Sequence, residues 1–180
     1  MSITTIIGPM FSGKTTELLR LIDRKRIAGK KCVIIKHIDD TRYVVKDVKN
    51  IVTHSEIKYA KCDIFNLLKL DEIDFSEYEV IGIDEGFFFQ DLTRFCNVMA
   101  NNGHEMIIAT LDSDYKQEIF PEIGSLIACS EVVVKLHGVC MICKTNDASF
   151  TIRIVDSDKH ILVGGQDKYK CVCRKCMKEE

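Results

Sequence analysis

Apolar residues fall along this chain in two kinds of run. Short blocks rich in β-branched residues recur at 2–7, 31–37, 79–83, 105–111 and 131–136, each the right length for one strand buried on both faces. Longer amphipathic stretches lie between them. Residues 15–27 carry Leu18, Leu19, Leu21 and Ile22 with no breaker before Gly29, and residues 90–101 put Leu92, Phe95 and Met99 on one face before Gly103. The stretch 62–70 also reads as a helix, and a short strand is expected at Ile51, Val52 and Thr53 within a mixed polar segment. Strands alternating with helices predict an α/β fold, a mostly parallel sheet covered by helices. From His137 onward the pattern changes to cysteines, short alternating stretches at 149–155 and 160–163, and a turn at Gly164 and Gly165. The chain therefore divides into a larger unit, 1–136, and a small appended one, 137–180.

Between the first strand and the first helix runs Gly8-Pro9-Met10-Phe11-Ser12-Gly13-Lys14-Thr15, a complete G-x-x-x-x-G-K-[ST] phosphate loop. Its backbone amides and the helix N-terminus both favour an anion. Lys14 supplies a point charge for β- and γ-phosphates, and the Thr15 hydroxyl is placed to ligate magnesium. The larger unit is thus predicted to bind a nucleoside triphosphate, which makes it a P-loop domain. Charge agrees: 25 Lys and Arg against 27 Asp and Glu give a net charge of −2, so no basic field is present to hold long nucleic acid. The apolar runs fall far short of the ~20 residues that span a bilayer, so no membrane partner is expected. No secretory pattern precedes the first strand. Nine cysteines, four of them in two C-x-x-C pairs, then point to metal chemistry in a reducing, cytoplasmic setting.

The apolar block ending in Asp84 has the form of a Walker B strand, whose aspartate holds the nucleotide's magnesium together with the loop hydroxyl. Glu85 follows directly and is the candidate general base. Asp40 and Arg42 leave the carboxyl end of the second strand, where ligands bind α/β sheets. They can reach phosphates, with Arg42 as an internal arginine finger, although on spacing alone a solvated loop pair is the simpler reading. Phe87, Phe88 and Phe89 follow the acidic pair, and Tyr115 and Phe120 lie beyond the 105–111 strand. These aromatics can sandwich a planar base or simply pack. Cys140-x-x-Cys143 and Cys173-x-x-Cys176 can set four thiolates around one tetrahedral zinc. Cys171 is out of phase with that pattern. The histidines, at 37, 54, 104, 137 and 160, show no paired ligand spacing.

Taken together the chain resembles the thymidine kinases of cellular and large-DNA-virus type, which join a RecA-like core to a zinc domain. The resemblance rests on residues 7–18, 40–43, 53–54, 80–86, 111–112, 133–136, 139–143, 164–169 and 172–176, in order along nearly the whole chain. It implies transfer of the ATP γ-phosphate to the 5′-hydroxyl of thymidine, giving dTMP. Glu85 would be the base, with Lys14, Thr15 and Asp84 organising MgATP. A zinc-tethered lasso would close over the base through His160, Ile161, Leu162, Val163, Gly164 and Tyr169, with Met10 and Leu111 lining it. The resemblance also implies a homotetramer inhibited by dTTP.

Two departures stand out: Phe87 replaces a glutamine, and Tyr115 replaces a phenylalanine. Because glutamine can hydrogen-bond water, metal or substrate and phenylalanine cannot, Phe87→Gln is expected to be tolerated. An extra residue after Cys143 blurs the alignment of Thr151. Two other readings fit the same motifs, a nucleoside-monophosphate kinase with a zinc lid and a zinc-ribbon ATPase driven by nucleic acid. The first would need several lid arginines, and only Arg153 lies between Cys143 and Cys173.

Overall fold

The computed structural model describes residues 1–40, 51–52, 58–59, 61–159 and 161–178. In chain order the elements are β1 (Ser2–Gly8), α1 (Lys14–Ile27), β2 (Cys32–His37), β3 (Ile51–Val52), β4 (Lys58–Tyr59), β5 (Asp63–Leu67), β6 (Val80–Ile83), α2 (Leu92–Asn101), β7 (Glu105–Leu111), α3 (Pro121–Cys129) and β8 (Val132–Lys135). There follow β9 (Gly138–Val139), β10 (Asp147–Ala148), β11 (Phe150–Arg153), β12 (Tyr169–Val172) and α4 (Arg174–Met177).

Six strands form one parallel sheet in the order β5-β2-β6-β7-β1-β8. Strand periodicity sends successive side chains to opposite faces. On one face Ile6, Ile34, Val80, Ile107 and Ala109 pack against Leu18, Leu19 and Ile22 of α1. On the other, Ile3, Ile7, Val33, Ile81, Ile83 and Ile108 pack against Leu92 and Cys96 of α2 and Ile123 and Leu126 of α3. The register pairs Gly8 with Leu111 and Ile83 with Ile108. The loops that leave β1, β6 and β7 therefore open on one sheet edge. No helix among the described residues is long and apolar enough to cross a membrane.

The larger strands and the first two helices lie where the sequence pattern puts them. The helix expected over 62–70 does not form: Asp63–Leu67 is an edge strand parallel to β2. Adjacent Ile64 and Phe65 pack against opposite sides of the sheet, which a strand allows and a helix does not. Pairing also satisfies the outer backbone groups of β2, which would otherwise be buried unbonded. Helix α3 and strand β12 were not anticipated. The extended stretch expected at 160–163 is not a strand across 161–163, and His160 lies outside the described residues.

The C-terminal part is built from two antiparallel pairs, β9 with β10 and β11 with β12. Its own small core holds Cys140, Ala148, Ile152, Cys171, Val172, Cys173 and Cys176.

Candidate active site

The phosphate loop leaves β1 and enters α1 by a backbone path that glycine makes possible. A Cβ on Gly8 would stand 2.5 Å from the Leu136 carbonyl oxygen, and Gly13 begins the helix at a φ of 83°. Ser12 Oγ and Lys14 Nζ both donate to the Pro9 carbonyl, at 2.8 and 2.7 Å, so the lysine is buried within the loop it serves. Phosphate oxygens bound there would give the ammonium a stronger, charged acceptor. Lys14→Ala is expected to lower kcat/KM by about 10²-fold or more, as removal of a charge-stabilising donor does. Steady-state kinetics checks this, and activity within a few-fold of the parent would make the loop decorative.

Two strands away, the end of β6 presents the acidic pair. Thr15 Oγ1 donates to both Asp84 carboxylate oxygens, at 3.0 and 3.2 Å. This hydroxyl and carboxylate form a hard oxygen donor set of the kind magnesium takes. Glu85 is buried beside it at a φ of 52°, with its amide donating to Asp84 Oδ1 at 3.1 Å. A non-glycine residue in that region costs about 1–3 kcal/mol and is met at functional sites. The strained backbone turns the chain into the short 3₁₀ turn Gly86–Phe88. Asp40 lies just past the turn that follows β2, where its carboxylate is buried 3.0 Å from Lys36 Nζ. The lysine neutralises a charge that would repel phosphate. Arg42, Tyr43, Thr53 and His54 lie outside the described residues.

An apolar pocket adjoins the loop. The structure gathers Met10, Leu111, Tyr115, Phe120, Ile161, Leu162, Val163, Gly164 and Tyr169 around it, nine positions named from the sequence. Phe87 and Phe88, of the aromatics read as base-sandwiching or packing, also line it, and Ser113, Asp114 and Thr151 complete the lining. Residues 161–164 are held from behind by side chains near β12. Tyr169 Oη donates to the Leu162 carbonyl at 2.8 Å, and Lys168 Nζ to the Val163 carbonyl at 2.7 Å. The Lys168 stem crosses Gly164, where a Cβ would meet Lys168 Cδ at 2.3 Å. At Gly164 the close approach is thus to this lysine.

Phe87 stacks on Phe120 with centroids 5.1 Å apart and lies 4.2 Å from Phe88. This ring is one wall of the pocket and is packed against two others, which changes the expectation for its replacement. Phe87→Gln would remove one wall of the stack and set an amide in an apolar pocket. The expected result is a several-fold rise in KM for the nucleoside acceptor with little change in KM for ATP, read by steady-state kinetics.

The four cysteines of the C-x-x-C pairs converge, with all their sulfurs within 4.8 Å of one another. Thiolate sets of this kind suit zinc. Hydrogen bonds from the Thr145 hydroxyl and from the Thr145 and Asn146 amides hold the Cys143 thiol at about 5. Burial works against ionisation at Cys140, but amides of Cys173, Cys143 and Ile142 bring that thiol below its usual range. Cys171 stays apart: its thiol donates to the Val139 carbonyl at 3.3 Å, and burial pushes its pKa up. This unit also touches the phosphate loop. Phe11, at a φ of 63°, packs against the cysteine core, and the Met10 amide donates to Thr151 Oγ1 at 2.9 Å. The two are therefore not distant, as their sequence separation suggests.

A phosphate loop, a hydroxyl-carboxylate pair, a neighbouring buried glutamate and an adjoining apolar pocket, all on one edge of a parallel sheet, define a P-loop phosphotransferase. Residues 1–177 match the family model described as thymidine kinase. The chain is 62% identical to a thymidine kinase of Acanthamoeba polyphaga mimivirus, over 98% of this chain and 82% of that protein. It is 45% identical to thymidine kinase 1 of Dictyostelium discoideum, over 97% and 76%, and 44% identical to the thymidine kinase of Vaccinia virus (strain Western Reserve), over 97% and 95%. The chain belongs to the thymidine kinase family. Neither the monophosphate-kinase reading nor the nucleic-acid ATPase reading survives that membership.

Proposed function

We propose that this chain transfers the γ-phosphate of ATP to the 5′-hydroxyl of thymidine, forming dTMP and ADP. The observation that carries the reading is the junction at Met10, which belongs to the phosphate loop and also lines the apolar pocket. Donor and acceptor would meet there. Lys14 and the loop amides bind the β- and γ-phosphates and offset charge as it moves onto the leaving oxygen. Thr15 and Asp84 would hold the magnesium of MgATP, which supplies further charge neutralisation at the phosphates. Glu85 accepts the proton of the 5′-hydroxyl as the new oxygen–phosphorus bond forms and the bond to the β-phosphate oxygen breaks. Arg42, which follows the second strand at its carboxyl end in the sequence, is assigned to the same phosphates as an internal arginine finger.

Aromatic and aliphatic walls from Phe87, Tyr115, Phe120 and Leu111 would hold the planar base, and main-chain atoms of 161–164 would bond its polar edge. Cys140, Cys143, Cys173 and Cys176 would hold one structural zinc, fixing the strands from which that segment is hung. In this reading 1–136 is the nucleotide-binding kinase domain and 137–180 the zinc-binding lasso domain. A dTTP molecule joins an acceptor base to a donor-like triphosphate, so it would compete for both halves of the cleft as an inhibitor. Assembly as a homotetramer comes from the resemblance, and free thiols suit the cytoplasm.

The test is the product. Incubation with thymidine and MgATP is expected to give a 5′-monophosphate, identified by phosphorus–proton coupling in NMR. A 3′-monophosphate, or no product with either hydroxyl, would overturn the assignment.

A further inference from the structure

We infer that Arg153 is the positioning residue for the acceptor base, acting through Tyr115 and the 161–164 segment; this rests on the thymidine-site reading above. Arg153 ends β11 and faces Tyr169 across the antiparallel ladder. Its guanidinium carbon lies 3.8 Å from the centroid of the Tyr115 ring, a pocket wall contributed by the other part of the chain. From that position Nη1 donates to the carbonyls of Lys159 at 2.7 Å and Ser157 at 3.3 Å, and Nη2 to Tyr169 Oη at 3.2 Å. Tyr169 Oη passes its own hydrogen to the Leu162 carbonyl. One planar cation thus fixes the tilt of an aromatic wall, the near limb of the loop and, through a tyrosine, the far limb.

Each of these contacts is to a wall or a limb of the acceptor pocket, so the effect expected is on the acceptor. The planar fork also matters. Lysine keeps the charge, but its single ammonium cannot lie over Tyr115 and also donate from separate nitrogens to Ser157, Lys159 and Tyr169. A tyrosine ring with more electron density on its face, where the family resemblance has phenylalanine, suits a stacked cation.

The experiment compares the parent with Arg153→Ala, Arg153→Lys and Tyr115→Leu, and the double variant Arg153→Ala/Tyr115→Leu, by steady-state kinetics, ATP titration and thermal melting. Arg153→Ala is expected to raise KM for thymidine on the order of tenfold or more, with KM for ATP unchanged and kcat altered less. Arg153→Lys should recover part of that loss. In the Tyr115→Leu background the effect of Arg153→Ala should shrink, because the shared contact has already gone. An unchanged KM for thymidine in Arg153→Ala would overturn the inference. So would equal losses for thymidine and ATP with a lowered melting temperature, or full additivity of the two substitutions. A parent enzyme that fails to phosphorylate thymidine at all would instead overturn the functional reading on which this stands.

Discussion

Glu85→Gln is expected to lower kcat by roughly 10²–10⁴-fold, the range for a lost general base, while MgATP binds with nearly its parental affinity. The amide keeps the size of the carboxylate and the backbone at φ 52°, so the turn into Gly86–Phe88 should survive. What would disappear, on the proposed mechanism, is the ability to take the proton of the attacking hydroxyl. Asp84→Asn should behave differently. Its carboxylate receives the Thr15 hydroxyl at 3.0 Å, and this pair is the one proposed to hold the metal of MgATP. Weaker, magnesium-dependent nucleotide binding is therefore the expected defect there. Pre-steady-state turnover and calorimetric titration of both variants separate the two effects. The opposite pattern, with MgATP lost in Glu85→Gln and retained in Asp84→Asn, would exchange the two roles.

Cys173→Ser is expected to lose bound zinc and, with it, most thymidine affinity. Cys173 leads into α4 and its sulfur lies 3.9 Å from that of Cys143, so the metal would tie the end of β12 to the loop after β9. Tyr169 and Lys168, which hold the Leu162 and Val163 carbonyls, stand at the start of the same strand. Loosening that strand would free the segment proposed to close over the base. ATP affinity should fall as well, though less, because Phe11 and the Met10 amide of the phosphate loop lean on this unit. Cys171→Ser should keep metal and thymidine binding, since its thiol points to the Val139 carbonyl. Metal content and separate titrations of thymidine and ATP provide the check. Zinc retained in Cys173→Ser, or lost in Cys171→Ser, would move the ligand and undo the account of the loop.

Much of this arrangement is legible in the amino-acid order because its signals are local. The β-branched blocks become β1, β2, β6 and β7, each too apolar to lie anywhere but inside the sheet, and β8, which pairs at the edge beside β1 with Val132 and Val133 exposed rather than buried on both faces. The phosphate loop, Asp84-Glu85 and the two cysteine pairs each carry their chemistry within a few consecutive residues. What stays hidden is set by contacts between distant segments. Strand β5 depends on the open edge of β2 and on sending Ile64 and Phe65 to opposite faces, while its short apolar pattern permits a helix. Helix α3 did carry a signal, Pro121 at its start, Glu122 in the first turn, then Ile123 and Leu126. It is masked by the neighbouring aromatics. The contact of Thr151 with Met10, and the grip of Arg153 on Tyr115, exist only once the small unit is folded against the large one. Phe87 shows the same limit. Its substitution for glutamine is visible in the order of residues, but its stack on Phe120 is not.

The central claim is that the phosphate loop and the apolar pocket serve one transfer, from ATP to a nucleoside. It is tested most directly by an acceptor comparison with γ-labelled ATP, offering thymidine, thymidylate and single-stranded DNA to the same enzyme preparation. The expected result is label appearing in thymidine monophosphate, no transfer to thymidylate, and no rise in ATP turnover with DNA. Label passing to thymidylate in preference to thymidine, or ATP turnover that responds to DNA and not to the nucleoside, would contradict it.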